Sequence, residues 1–491
     1  MMNDPEKSES PIRAEKSTNN AVMAAESAEQ RGDAKGNVGT TTTRRTQCRE
    51  SVSSGLARVR KLAKEQPKLL FTALMHHLTV DLLRHSYFSL KRDAAPGVDG
   101  VTWEAYGEQI EERLADLHAR VHRGAYRALP SRRKMIPKPD GRERPLGIAS
   151  LEDKIVQRAM VEILNAIYEE DFVGFSYGFR PGRGQHNALD ALAYAITRTP
   201  VNWIIDADIR SYFDTVNHDW LIRFLEHRIG DRRAIRLIRK WLKAGVMEEH
   251  GLTPTMMGTP QGAVISPLLA NVYLHYCFDL WACRWRKKRT TGNVVFVRYA
   301  DDLVIGVEKY YDAKTLIAEL HDRFALFGLA LHPDKTRLIE FGKFAQERRE
   351  RRGQGKPATF AFLGFLHVCA KSRQGRFLLR RQTRPDRMRA TLQAIKQQLR
   401  RRMHDSIEAQ GQWLRRVVRG YFAYHSVPTN TQAMAVFRHR VTRLWRQILS
   451  RRSQNAYVPW CTIEAIVKCW LPKVRVVHPW PQERFLVTHP R

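Results

Sequence analysis

The run Phe296-Val297-Arg298-Tyr299-Ala300-Asp301-Asp302-Leu303-Val304-Ile305-Gly306-Val307 decides the architecture of this 491-residue chain. Two apolar segments flank a short charged turn, the pattern of a β-hairpin with carboxylates at its tip. Adjacent like charges at the end of buried strands repel each other and are costly to desolvate. A divalent cation compensates both costs. Carboxylates that hold Mg2+ ions roughly 3.5–4 Å apart suit two-metal phosphoryl or nucleotidyl transfer. Taken alone, the dipeptide favours a plain polar turn; the rest of the chain reverses that reading.

Working outward, Trp203-Ile204-Ile205-Asp206-Ala207-Asp208-Ile209 reads as an apolar strand with Asp206 and Asp208 alternating onto one face. Beside the hairpin in one sheet, Asp208 would meet Asp301 and Asp302. Asp206 reads as a supporting or solvated residue, and Asp214 as a turn residue. Between the two acidic segments lies Gly258-Thr259-Pro260-Gln261-Gly262-Ala263-Val264-Ile265-Ser266-Pro267. Its small residues admit a second backbone or a base pair, and Ser266 with Pro267 marks a helix start; an ordinary loop before a helix is the alternative.

Lys and Arg number 83 against 50 Asp and Glu, a formal charge of +33 and a pI near 10.3. That excess favours a polyanionic partner, nucleic acid first. No run of about 18 apolar residues is present and the N-terminus has no apolar signal core, so no membrane role is expected and the cytoplasm is the expected compartment. Six cysteines are scattered without a C-x-x-C pair, against a zinc ribbon or a disulfide framework. Cys277 and Cys283 lie in an apolar helical stretch and read as core.

The chain divides by composition. Residues 1–55 form a polar tail too poor in large apolar side chains to order. Residues 56–120 are helical, interrupted by the turn Ala95-Pro96-Gly97-Val98-Asp99-Gly100. Residues 121–370 alternate strands and helices, beginning with a basic hairpin over Arg132–Ile148 that turns at Pro139-Asp140-Gly141. A charged connection at 345–353 and a short strand at Phe362–Phe365 follow. Residues 341–450 then carry 25 Lys and Arg against 5 Asp and Glu. Three amphipathic helices fit 371–455, with stripes at Met388, Leu392, Ile395, Leu399 and Met403; at Trp413, Leu414, Val417, Val418, Tyr421 and Phe422; and at Val436, Phe437, Val441, Leu444, Trp445 and Ile448. Their aromatics fit base stacking or, better, core packing. Residues 456–491 form a C-terminal extension.

Taken in order, these motifs resemble a reverse transcriptase palm: Asp-Ile-x-x-x-Phe-Asp, Thr-Pro-Gln-Gly, Tyr-Ala-Asp-Asp and Phe-Leu-Gly. Pro96–Thr102, Ile136-Pro137-Lys138 with Arg144–Ile148, Tyr177–Pro181, Leu331–Thr336 and Arg419-Gly420-Tyr421-Phe422 resemble group II intron reverse transcriptase/maturases. The resemblance covers residues 56–485 and implies an α+β right-hand polymerase, fingers and palm, with a basic helical thumb or maturase domain X.

The same resemblance implies Asp208, Asp301, Asp302 and the Ile209 carbonyl as ligands of two Mg2+ ions, Mn2+ being a substitute. It implies Lys138, Arg144, Phe213 and Gln261 at the dNTP, with the Phe213 ring excluding a ribose 2′-hydroxyl. Lys335 is implied as an acid toward pyrophosphate, with a plain surface lysine as the alternative. Tyr299, Arg180, Arg183 and Gly262 are implied along primer and template, an internal salt bridge being the alternative for Arg180. Implied partners are an intron RNA template, a DNA primer or nicked DNA target, and dNTPs. After Leu471–Pro481 no endonuclease module with Cys pairs is recognisable, so a member that does not cut its own target is expected. Other bacterial reverse transcriptases (retron, diversity-generating, CRISPR-associated or domesticated repair types) and a splicing maturase without polymerase activity remain as alternatives.

Overall fold

The structure, a computed structural model, describes residues 55–137, 143–248, 251–253, 257–259, 262–453 and 457–488. The expected tail, Lys138 and Gln261 lie outside the described residues. Ser131–Pro137 (β1) and Glu143–Ile148 (β2) form the expected basic hairpin, with Ile136 opposite Arg144. Next in the chain come Trp203–Asp208 (β3), Val246–Glu248 (β4) and Gly251–Thr253 (β5). β4 runs parallel to β1, so the hairpin belongs to a sheet ordered β2-β1-β4-β5. The pairing reaches across more than a hundred residues and leaves no local trace in the sequence.

The central sheet adds Val294–Tyr299 (β6), Asp302–Val307 (β7) and Arg337–Glu340 (β8), in the order β6-β7-β3-β8. Every pairing in it is antiparallel, as an α+β fold requires. Leu303 through Val307 are all buried because both faces of the sheet are covered. Leu303, Ile305 and Ile205 face the large core around the helices Leu151–Asp171 and Ser266–Leu274. Val304, Val297 and Ile204 face the helix Gln185–Arg198. Ser150 caps the 151–171 helix by accepting from Asp153 N, and that helix is buried on nearly every turn.

A third sheet, β11-β10-β9, is built from Phe360–Phe362 (β9), Phe365–Lys371 (β10) and Phe377–Thr383 (β11). Phe362–Phe365 was expected as a strand; it is instead a reversal, with Leu363 and Gly364 at φ 44° and 79°. The stretch at 345–353 is likewise no free connection. It holds the helix Ala345–Arg351, whose Arg348 and Arg349, with Arg352 beyond it, surround the buried Glu340 carboxylate. Ser266 is one residue inside its helix rather than its cap, since Ile265 takes the cap position. Cys277 is buried and Cys283 only half so.

The three amphipathic helices are Pro385–Arg401, Ile407–His425 and Thr431–Leu449. Tyr421, Phe422, Phe437 and Trp445 are buried together, Tyr421 stacked on Phe437 at 3.6 Å. These four are core residues and not platforms for bases. Val436 departs from its expected stripe and is exposed. A fourth helix, Trp460–Trp470, lays Trp470 across Gly411, where a Cβ would sit 2.5 Å from the ring.

The chain then returns to the palm. Val477 N donates to Ser426 Oγ at 3.0 Å, and the His478 ring stacks on His186 at 3.9 Å. In the helix Pro481–Thr488, Arg484 pairs with Asp190 and Gln482 accepts from Arg198 at 2.7 Å. Among the described residues no helix is long and apolar enough to cross a membrane.

Candidate active site

β3 and β7 lie side by side in a register that sets Asp208 directly opposite Asp302. Such partners have Cα atoms about 4.5–5.5 Å apart, so two carboxylates distant in sequence share one sheet end. Asp301 occupies the two-residue turn between Tyr299 and Asp302, next to Ala300 at φ 56°. Positive φ at the first turn position matches the right-handed strand twist, at a cost for a residue with a Cβ. Asp302 opens to solvent at the sheet end. Although the residue has an exposed edge, desolvation of its carboxylate, then the charges of Asp301, Asp208 and Asp206, push its pKa up to about 7, with Lys335 opposing. Asp206 sits one pleat inward and pairs with Arg337 at 2.9 Å, the supporting role expected for it.

Lys335 Nζ lies 2.7 Å from Asp208 Oδ2, so an ammonium already stands where the carboxylates call for a cation. Among the described residues no three acidic, His or Cys side chains stand together so as to hold a metal ion. An open site suits a hard, hydrated cation, which takes one or two carboxylates and keeps its other positions for water and phosphate. The Asp208–Asp302 pair, set opposite one another and already drawing the Lys335 ammonium, is the donor set that fits a divalent ion. Beside them, Ile209 makes a bridge to Leu331 in which Arg210 N donates to Ala330 O and His332 N to Asp208 O. That pattern leaves the Ile209 carbonyl unused by the bridge.

Phe213 is half-buried in the turn Tyr212–Thr215, a few residues beyond Asp208. Thr259 N donates to its carbonyl at 2.8 Å, which brings Gly258 and Thr259 to the same place. Arg144 lies on β2; nothing is described of its side chain. Gly262 takes φ 109°, and a Cβ there would stand 2.5 Å from the Gly147 carbonyl. The backbone that approaches this glycine is that of β2.

Arg180 corrects an expectation. Its guanidinium is buried, paired with Glu169 at 3.0 Å and donating to the Val173 and Ser176 carbonyls, so no template phosphate reaches it. A Pro-Gly-flanked arginine looks exposed in sequence, but Glu169 at the end of the preceding helix draws it inward. Arg183 is largely spent too, donating to Gly174 O and Ser176 O, and desolvation lowers its pKa to about 10. Tyr299 is half-buried near Phe179, and burial raises its hydroxyl pKa to about 12.

The residues that hold the acidic turn were not read as functional. Arg298 is fully buried and bonded to Asp279 through Nε (2.7 Å) and Nη2. It also donates to Asn271 Oδ1 (2.9 Å), Ser176 Oγ (2.7 Å) and the Ala300 carbonyl (3.1 Å). The last contact grips the turn itself. Asn271 Nδ2 donates to Gly178 O at 2.7 Å, and Ser176 bridges Arg298 as an added edge on β6. A charge inside an apolar strand and another inside an apolar helix were the available signals.

A Cβ on Gly178 would lie 2.3 Å from Ala300 N, an approach only glycine permits. Gly178→Ala should therefore displace the turn. It should cost about 1–3 kcal/mol in denaturant unfolding and lower primer extension roughly a hundredfold. An alanine variant with unimpaired extension would show that the turn needs no brace.

Comparison with known proteins adds the following. Residues 136–367 match the family model described as reverse transcriptase (RNA-dependent DNA polymerase). The chain is 36% identical to Protein YkfC of Escherichia coli K12 over 320 residues, covering 58% of this chain and 79% of that one. It is 29% identical over 343 residues to a 91 kDa protein in the cob intron of Schizosaccharomyces pombe, covering 59% and 42%. Against group II intron-encoded protein LtrA of Lactococcus lactis it is 35% identical over 222 residues, covering 45% and 37%. The chain thus spans less than half the length of those last two relatives.

Proposed function

The chain belongs to the reverse transcriptase (RNA-dependent DNA polymerase) family, among the relatives of group II intron-encoded proteins, and from that premise we propose that it copies an RNA template into DNA. The observation that carries this reading is the register of β3 on β7, which joins Asp208 to the Asp301–Asp302 turn. The substrates are dNTPs, a DNA primer or nicked target, and intron RNA as template, used in the cytoplasm.

In this reading Asp208, Asp301 and Asp302, with the Ile209 carbonyl, hold two Mg2+ ions, for which Mn2+ can substitute. Bound there, the ions supply an activated primer 3′-hydroxyl and charge neutralisation on the triphosphate. The protein's own groups do the rest. Lys335, now on Asp208, would serve the departing pyrophosphate as a charge or a proton donor. Lys138 and Arg144 on the basic hairpin grip phosphate oxygens, a point charge beside a planar fork. Phe213 lies under the sugar, Gln261 against the nascent base pair and Tyr299 against the primer end.

On the outer faces of the thumb helices Arg389, Arg400, Arg415, Arg416, Arg419 and Arg440 are exposed, a surface for the phosphates of the primer–template duplex and of structured intron RNA. The same grip on intron RNA would assist splicing.

The test is primer extension on poly(rA)/oligo(dT) with Mg2+. DNA synthesis by the wild type is expected, and Phe213→Val should accept ribonucleotides more readily by about tenfold or more, the worth of a relieved steric clash of ~1.4 kcal/mol. An inert wild type would overturn the polymerase reading. Unchanged sugar discrimination in Phe213→Val would remove the role given to that ring.

A further inference from the structure

Among the described residues, Gly258 and Thr259 are fastened to the segment from Phe213 to His218 by three hydrogen bonds. Thr259 N donates to Phe213 O and Gly258 N to Val216 O, both at 2.8 Å. The third joins His218 Nε2 to the Gly258 carbonyl at 2.6 Å. A carbonyl only accepts, so Nε2 is the nitrogen that bears hydrogen in this contact. Of the three, this one alone is made by a side chain.

His218 has a firm footing. It is the first residue of the helix His218–Glu226, whose cap Asn217 accepts from Trp220 N at 3.0 Å. The loop, by contrast, is pinched from both sides. Gly258 has φ 85°, and a Cβ there would stand 2.8 Å from the Phe213 carbonyl and 3.0 Å from Asp214 Cα. On the far side Gly262 leans on the Gly147 carbonyl of β2. Gly258 thus sits against the Phe213 turn, with the His218 ring as a side-chain rivet on its carbonyl.

We infer that His218 is a positioning residue for substrate selection, holding Gly258 and Thr259 against the Phe213 turn so that the space beneath the sugar keeps its width. The inference rests on the reverse transcriptase reading above. It concerns a residue that touches neither substrate nor metal. Without the rivet the loop lifts, the Phe213 turn loses its backing and the space beneath the sugar widens. Ribonucleotides and mispaired bases gain most from that slack, because they are the substrates that a tight pocket excludes.

The experiment is single-nucleotide primer extension on a defined RNA template, comparing dGTP with GTP and correct with incorrect dNTPs. His218→Ala should lower the ratio of deoxy- to ribonucleotide efficiency roughly three- to tenfold, the worth of one hydrogen bond. The change should fall mainly on the KM for GTP. His218→Gln, which keeps an N–H at similar reach, should restore most of the ratio. Phe213→Val is the reference.

A ratio that falls in Phe213→Val and not in His218→Ala overturns this inference and leaves the polymerase reading standing. So does a His218→Gln ratio as low as that of His218→Ala, because the hydrogen bond would then be irrelevant. Absence of DNA synthesis by the wild type overturns the polymerase reading itself. Should His218→Ala fail to fold by circular dichroism, Gly258→Ala, which presses on the Phe213 carbonyl without altering the ring, must lower the same ratio or the inference falls.

Discussion

Asp302→Asn should abolish primer extension, by at least about a thousandfold, while raising the melting temperature of the metal-free protein at pH 7.5. Both effects come from one carboxylate placed where the fold does not want it. Its pKa rises from 3.8 to about 7 on folding, chiefly by desolvation and then by Asp301 and Asp208. Between those two values the folded state binds more protons than the unfolded state. Stability therefore falls as pH climbs through that window and stays low above it.

Asparagine removes the repulsion and the catalytic ligand together. Thermal melts from pH 4.5 to 8 in EDTA should show the wild type losing stability across this range and Asp302→Asn losing less. Added Mg2+ should stabilise the wild type and leave the variant nearly unmoved. A variant that melts with the wild type at every pH would mean that Asp302 carries no such burden.

Asp279→Ala should be the most damaging substitution away from the acidic cluster of Asp208, Asp301 and Asp302. It leaves the Arg298 guanidinium fully buried without its carboxylate, a loss of about 3–5 kcal/mol in denaturant unfolding. Replacing both residues, Asp279→Leu with Arg298→Met, should recover much of that stability, because a buried pair is often no better than apolar packing. Activity should not return with it, since the grip on the Ala300 carbonyl is lost and the acidic turn wanders. If extension by the double variant recovers along with its stability, Arg298 is a packing element and nothing more.

The acidic residues were legible in the sequence because each is an anomaly in an apolar run, and a charge there demands a reason. The same logic applied to Arg298 and Asp279, yet each alone reads as a stray charge. Their meaning lies in a contact across 19 residues and another, to Ser176, across 122. Thumb helices were legible from their stripes, because one packed face imposes its period on the chain. Pairings such as β4 on β1 depend on chain closure alone and leave no such period. Arg180 was implied along the template by the resemblance, with an internal salt bridge as the alternative, and the pairing with Glu169 is that salt bridge. Gly178, Gly258 and Gly262 were visible as small residues, but what approaches each of them is a property of the folded backbone.

The return of the chain to the palm at Arg484 and Asp190 fixes how the helical thumb behaves as a mechanical part. The bundle is moored at its start, where Thr383 N and Arg381 N are bonded to Asn430 Oδ1 and Thr429 Oγ1, and again at its end by the 475–484 segment. A body held at two points swings about the line between them and cannot drift off as a bead on a string would. Any swing of the bundle is thereby confined to one axis, and heating should melt the bundle and the body that carries Asp190 in a single cooperative step.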